Sequence, residues 1–197
     1  MLRALIVITV IAVALVRGGS LERFATLRVR LLPLALGAFA LQLLIFTPFL
    51  GAPLVGAATT ALYVLSMALL VVWVAFNRHL PGIALMAAGV VLNTAAIVAN
   101  GGYMPLWLPA AQIAGTIELL PASGPAVHNN SVAAGTGTQL WLLTDILPVP
   151  GWVPFATVYS IGDVLLTLGV CILCWQTMRG RAGVPVTNVN MGGTGTA

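Results

Sequence analysis

The sequence predicts an all-α fold: a polytopic transmembrane bundle of about five helices, N-terminus outside and C-terminus inside. Three observations carry that expectation. The 197 residues are 60% hydrophobic and 6% charged, with a mean hydropathy of +1.07, whereas soluble domains average about a quarter charged residues. The apolar residues fall into five runs of roughly the length that a bilayer core requires. All eight basic residues are Arg. On a five-span topology Arg17, Arg23, Arg28, Arg30, Arg78, Arg179 and Arg181 gather on one side, as cytoplasmic loops do. The net charge of +4 and pI near 9.8 therefore report topology, and no nucleic-acid partner is expected.

Leu2 to Val16 is the first run, about 22 Å of helix against a core of roughly 30 Å. A signal peptide carries its basic residues ahead of the run. Here Arg3 alone precedes it and Arg17, Arg23, Arg28 and Arg30 follow, so a span running outside to inside is expected, completed by Gly18 and Gly19. Leu31 to Leu50 is the second span, separated from the third, Ala57 to Phe76, by Pro48, Gly51 and Pro53. Asn77-Arg78-His79 closes the third, and Pro81-Gly82 opens the fourth, which reaches Ala99.

Asn100 to Gln139 is a long outer connection rich in Gly, Pro, Ser and Thr, with no basic residue. Its part from Leu106 to Leu120 is expected to lie flat as an interfacial helix, and PASGPAVHNNSVAAGTGT as mobile loop. Phe155 to Met178 is the fifth span. Residues 1–178 thus form one transmembrane domain and 179–197 a disordered cytoplasmic tail. Trp107, Trp141 and Trp152 would belt the outer interface, and Trp73 and Trp175 the inner one. No internal repeat suggests a transporter of inverted halves.

The chemistry concentrates in TDILPVPGWVPFATVYSIGDVLLTLG, residues 144–169, which holds two of the four acidic residues, Asp145 and Asp163. A carboxylate within or beside a membrane segment is costly and marks a functional site by default. Pro148, Pro150 and Pro154 forbid one continuous helix between them, so the chain must turn back at the outer surface and bring Asp145 beside the start of the fifth span. Two carboxyls in one dry site tend to share a proton, so that one activates water while the other donates to a leaving group. The plainer alternative has Asp145 capping a helix and Asp163 pairing with Asn93; spacing leaves both open.

Helical steps of three and four place Ser160, Asp163, Thr167, Cys171 and Cys174 on one face of the fifth span, and Gly82, Met86, Gly89, Asn93 and Asn100 on one face of the fourth. Small and polar stripes of this kind pack closely and hydrogen-bond across helices. Asn93, Asn100 and Ser160 are the candidate supporting residues, with His128 of the outer loop a candidate proton relay. Cys171 and Cys174 have redox spacing but lack a neighbouring cation, and the glycine pairs match no phosphate loop. No cofactor or metal is expected.

The segment TDIL…WVPFATVYSIGDVLLTLG resembles the closing segment of the lipoprotein signal peptidases (signal peptidase II), intramembrane aspartic proteases. That resemblance implies that Asp145 and Asp163 are the catalytic pair, with Tyr159, Ser160 and Gly169 in neighbouring places and Asn93 supporting the site. The chain departs from that family in lacking an N-x-G-x-A-F motif and the D-R of the fourth-span motif, and in its long insertion before Asp145. LNTAAIVANGGYMP (residues 92–105), His128 and YSIGD together resemble an uncharacterised bacterial membrane-protein family of unknown function. The expected protein is thus a multi-pass component of the bacterial plasma membrane whose outer-facing aspartate pair hydrolyses a lipidated or membrane-embedded substrate. The alternative is a non-catalytic accessory or assembly subunit of a membrane complex.

Overall fold

Five apolar helices hold most of the helical residues, and the described chain is mostly helical, as expected. The computed structural model describes residues 1–46, 59–117, 127–128 and 131–180. The expected break at Pro48–Pro53, much of the PASGPAVHNN loop and the tail beyond Gly180 lie outside the described residues. The long helices are α1 (Leu2–Val16), α3 (Leu32–Phe46), α4 (Thr59–Phe76), α5 (Ile83–Ala99) and α7 (Ile161–Met178), with a single turn, α2 (Glu22–Ala25), after α1. Among the described residues α7 is long and apolar enough to cross a membrane by length and composition, and the other four long helices give shorter apolar stretches.

Each helix stops where the sequence supplies a reason. Gly18, at φ +80°, ends α1, and the Gly19 amide donates to the Ala14 carbonyl at 2.8 Å, a left-handed C-terminal stop. Gly101 and Gly102, both at positive φ, end α5 in the same manner. Helix α7 starts at Ser160, whose hydroxyl accepts the Asp163 amide at 3.0 Å, as an N-cap does. It therefore starts six residues later than Phe155, the expected boundary. Phe155 to Ser160 instead holds a turn and a strand, because Pro154 and the N-cap at Ser160 leave no helical register between them.

Small residues fill the helix contacts, a cluster of larger ones (Ile45, Tyr63, Met67, Leu70, Ile97 and Met104) packs beside α3, α4 and α5, and many large apolar side chains stay outside. Ala14, Ala35, Ala38, Ser66, Gly89, Ala96, Gly162 and Gly169 are buried, while Leu5, Phe39, Leu43, Leu65, Val71, Val91, Val164 and Leu168 are exposed. The expected facing stripes of α5 and α7 meet, but through glycines more than through the polar residues. The Gly82 carbonyl lies against Gly169, and the Gly162 carbonyl against Gly89, so a Cβ at any of these four would collide. This order of partners makes α5 and α7 antiparallel. Thr167 turns its hydroxyl to the Asp163 carbonyl of its own helix; Cys174 is buried and Cys171 half-buried.

Helices α1 and α7 run parallel, since Arg3 meets Asp163 at one end and Ser20 donates to the Met178 carbonyl at the other. At that second end Arg23 also donates to the Met178 carbonyl and Arg179 to the Arg17 carbonyl, with Arg179 over Trp175. Asn77, fully buried, clamps the α3 entry to the α4 exit: its amide donates to the Arg30 and Trp73 carbonyls and accepts the Arg30 amide, each at 2.8 Å. Six of the eight arginines thus lie at one end of the bundle, opposite both aspartates.

The outer connection is more ordered than a loop with one helix. Strand β1 (Met104–Leu106) pairs in parallel with β3 (Ser131–Ala133), which pairs antiparallel with β2 (Val127–His128). Helix α6 spans Leu108–Ile113, shorter than the expected Leu106–Leu120, because Gly115 at φ +66° turns the chain. A 3-10 turn, Trp141–Leu143, and a hairpin of β4 (Leu147–Pro148) and β5 (Val158–Tyr159) complete a cap over one end of the bundle.

The glycine contacts give the first prediction. Gly89→Ala or Gly169→Ala should destabilise the protein by about 1–3 kcal/mol through overpacking, seen as a lower melting temperature. Gly37→Ala, where nothing lies within 4 Å of the new methyl, should leave it unchanged or raise it.

Candidate functional site

Asp163 sits in the first turn of α7, one turn from the cap, where the helix N-terminus favours a carboxylate. Two side chains converge on its Oδ1: the Arg3 guanidinium at 2.7 Å and the Asn93 amide at 3.1 Å. The Asn93 carbonyl oxygen accepts the Ser160 hydroxyl at 2.8 Å, and that hydroxyl accepts the Asp163 amide. Ser160, Asn93 and Asp163 therefore close a ring of hydrogen bonds between α5 and α7. Gly162 makes the ring possible, because a Cβ there would strike the Asn93 side chain. Arg3 also lies over the Tyr159 ring, 5.4 Å from its centroid, a cation–π contact.

Asp145 arrives from the cap. Its backbone is stitched to the end of β1: the Asp145 amide donates to the Pro105 carbonyl and its carbonyl accepts the Trp107 amide, each at 3.0 Å. The neighbouring Thr144 is buried and caps the Trp141 carbonyl, while the β4–β5 hairpin returns the chain to Ser160. The expected turn-back is thus a short antiparallel ladder in which Leu147 pairs with Tyr159 and Pro148 with Val158. Pro148 is tolerated there at the edge of a sheet.

Both aspartates line one cavity of about 520 Å³, within the range of small-ligand sites. Arg3, Asn93 and Tyr159 give it a polar end, and Phe39, Met67, Leu70, Val90 and Ile97, with Gln42 and Tyr63 among them, a mostly apolar shaft between α3, α4 and α5. Burial pushes the Asp145 carboxyl up to about 8, the Asp163 charge adds to this, and Arg3 opposes it. Asp145 thus holds its proton at neutral pH, and its Oδ1 is buried without a partner. The Tyr159 hydroxyl is likewise buried and donates to no group; burial raises it from its ordinary value, and Arg3, by its charge and its backbone amide, opposes this. The aspartates are not equivalent: one is paired with a cation, the other is protonated.

The other candidates divide. Asn93 and Ser160 sit in the ring that holds Asp163. Asn100 does not reach the cavity: its side chain donates to the Gln139 and Ala96 carbonyls and accepts the Gln139 amide, pinning the end of the outer connection to α5. The plainer alternative holds for Asn93, which does pair with Asp163, but Asp145 caps no helix. The backbone of His128 pairs with Ser131, a residue of the cavity wall, and its side chain lies outside the described residues. His79 is at the opposite end of the bundle, on the Arg28 carbonyl.

Arg3 went unnoticed as a site residue, read only as a charge ahead of the first span. The signal was its position: it is the single arginine on the aspartate side of the expected topology, where a carboxylate needs a counter-ion. The Tyr159 hydroxyl had no signal of its own, since a tyrosine before a helix is common.

With this geometry in view, comparisons place the chain. Residues 26–175 match the model of a family of unknown function, DUF5317, and the chain belongs to that family. The matched region holds Asp145, Asp163, Asn93 and Tyr159, whereas Arg3 and the rest of α1 lie before it. An uncharacterized protein of Thermotoga maritima is 36% identical over 110 residues, 55% of this chain and 59% of that protein's length. No solved structure matches.

Because folded Asp145 holds its proton between its ordinary 3.8 and about 8 while the unfolded chain does not, its contribution to stability is full below pH ~4 and drains away as pH rises to about 8. The difference in stability between the parent and Asp145→Asn, measured across pH 4–9, should follow that slope. A flat difference would place Asp145 in water.

Proposed function

We propose that the protein is a polytopic membrane protein of the bacterial plasma membrane, in which an Asp145/Asp163 pair at the outer face hydrolyses an amphiphilic substrate drawn from the bilayer. The observation that carries this reading is the cavity that two carboxyls share with a mostly apolar wall, one of them paired with Arg3 and the other buried without a partner. The membrane setting is supported by the large apolar side chains that the helices leave exposed, among them Phe39, Leu43, Leu65 and Val91, for which lipid is the compatible solvent, and by the small-residue contacts of α5 with α7. It is supported too by the six arginines grouped at the end opposite the aspartates, which would face the cytoplasm. All five long helices then span, N-out and C-in, with the shorter ones thinning the bilayer or drawing on flanking residues.

The chemistry follows from the two carboxyls. Arg3 and Asn93 both engage Oδ1 of Asp163, which leaves Oδ2 to accept a proton from water as that water's oxygen bonds to a carbonyl carbon. Asp145, protonated, donates to the carbonyl oxygen, which gives a neutral gem-diol; as the acyl bond breaks, Asp163 passes the proton taken from water to the leaving alcohol or amine, and Asp145 takes back a proton from one gem-diol hydroxyl. The products are a carboxylic acid and the protonated leaving group, and both aspartates return to their starting states. The resemblance of residues 144–169 to signal peptidase II supports the same pairing of roles.

The test is cleavage of a lipidated prolipoprotein by the purified protein in detergent, beside its Asp145→Asn and Asp163→Asn variants. Each variant should melt as a folded protein yet lose about 10²–10⁴-fold in rate, the usual worth of a general acid or base. Retained activity in either variant would sink the catalytic assignment. A second reading, an accessory subunit, draws on the exposed apolar cap, where Trp152 is 84% and Leu142 66% exposed. Native purification that returns a lone protomer would count against it.

A further inference from the structure

We infer that the polar end of the cavity is built for an uncharged acyl amphiphile, whose ester or amide carbonyl is received by Tyr159 and Asp145 while its chain lies between α3, α4 and α5. The inference rests on the proposed function for the membrane setting, and not for bond cleavage.

Two independent features converge on it. The first is the pair of orphan atoms, Tyr159 Oη and Asp145 Oδ1, buried and without partners beside one cavity. Buried polar groups in native proteins are nearly always satisfied. The tyrosine hydroxyl is a donor, and a protonated carboxyl is a donor as well. A carbonyl oxygen, with two lone pairs and no charge, is an acceptor that donors of this kind can hold.

The second feature is charge. Arg3, the cation of the cavity, is already matched by Asp163 at 2.7 Å. A phosphate or carboxylate head would bring a second negative charge to Asp163 with no free cation to meet it, a costly arrangement away from water. A neutral carbonyl carries no such cost. The apolar shaft of Phe39, Met67, Leu70, Val90 and Ile97 then accepts the chain. Because lipid and shaft are equally apolar, the chain gains little by moving between them. Selection therefore falls on the head.

The experiment uses the full chain in an alkyl glycoside detergent, which has no carbonyl. It is titrated by calorimetry at pH 7 with 1-dodecanoylglycerol, its ether analogue 1-O-dodecylglycerol, and dodecyl phosphate. A neutral hydrogen bond is worth about fivefold in affinity, so the ester should bind roughly 5–25-fold more tightly than the ether, and more tightly than the phosphate. Tyr159→Phe should lower ester affinity about fivefold and leave ether affinity unchanged. Equal binding of ester and ether, or tighter binding of the phosphate, overturns the inference, and this comparison needs no variant to fold. Glycerol release is followed in the same samples. Selective ester binding without release keeps the inference and removes hydrolysis; release without ester selectivity does the reverse.

Discussion

The arrangement depends on what it takes to keep Asp163 away from water. A carboxylate at a half-buried helix start is tolerable only with a counter-ion and hydrogen bonds that replace its hydration. Arg3 supplies the first, Asn93 and the helix N-terminus the second. Those partners come from three helices, α1, α5 and α7, so one charge dictates which helices must be neighbours and in what direction each runs. The parallel pairing of α1 with α7 and the antiparallel pairing of α5 with α7 both bring their polar residues to the same end.

Close approach is the second requirement. Asn93 reaches Asp163 and Ser160 because α5 and α7 touch backbone to backbone at Gly82 with Gly169 and at Gly89 with Gly162. Helices separated by larger side chains would leave the ring of hydrogen bonds open. The glycines thus serve the fold and the site by one means.

The cap does for Asp145 what the bundle does for Asp163. Its backbone is fixed on both sides to β1, and the β4–β5 hairpin ties the same segment to the start of α7. The side chain is carried into the cavity without a hydrogen bond of its own. A carboxyl held that way keeps its proton more readily than one in water. The cavity thus places two residues of identical type in different environments, one beside a cation and one without a partner.

Composition and periodicity determined the mostly helical character, the five apolar segments, the facing of α5 by α7 and the gathering of Asp163, Asn93 and Ser160 with Asp145 nearby. These are local quantities, readable from runs of apolar residues, helical spacing and the rarity of acidic residues. Proline positions likewise required the chain to turn between the aspartates. Tertiary structure alone decided the rest. The three-residue strands of the cap carry no periodic signal, so residues 100–139 read as loop. Asn100, on the same helical stripe as Asn93, turns to Gln139 instead of the cavity, since a stripe gives a face and not a partner. Arg3 joins Asp163 across 160 positions of chain, and the two orphan donors exist only once the cap closes over the helices. Which charges are matched and which polar atoms are left wanting is a property of the packed molecule, because it is set by what every neighbouring element brings to one small volume.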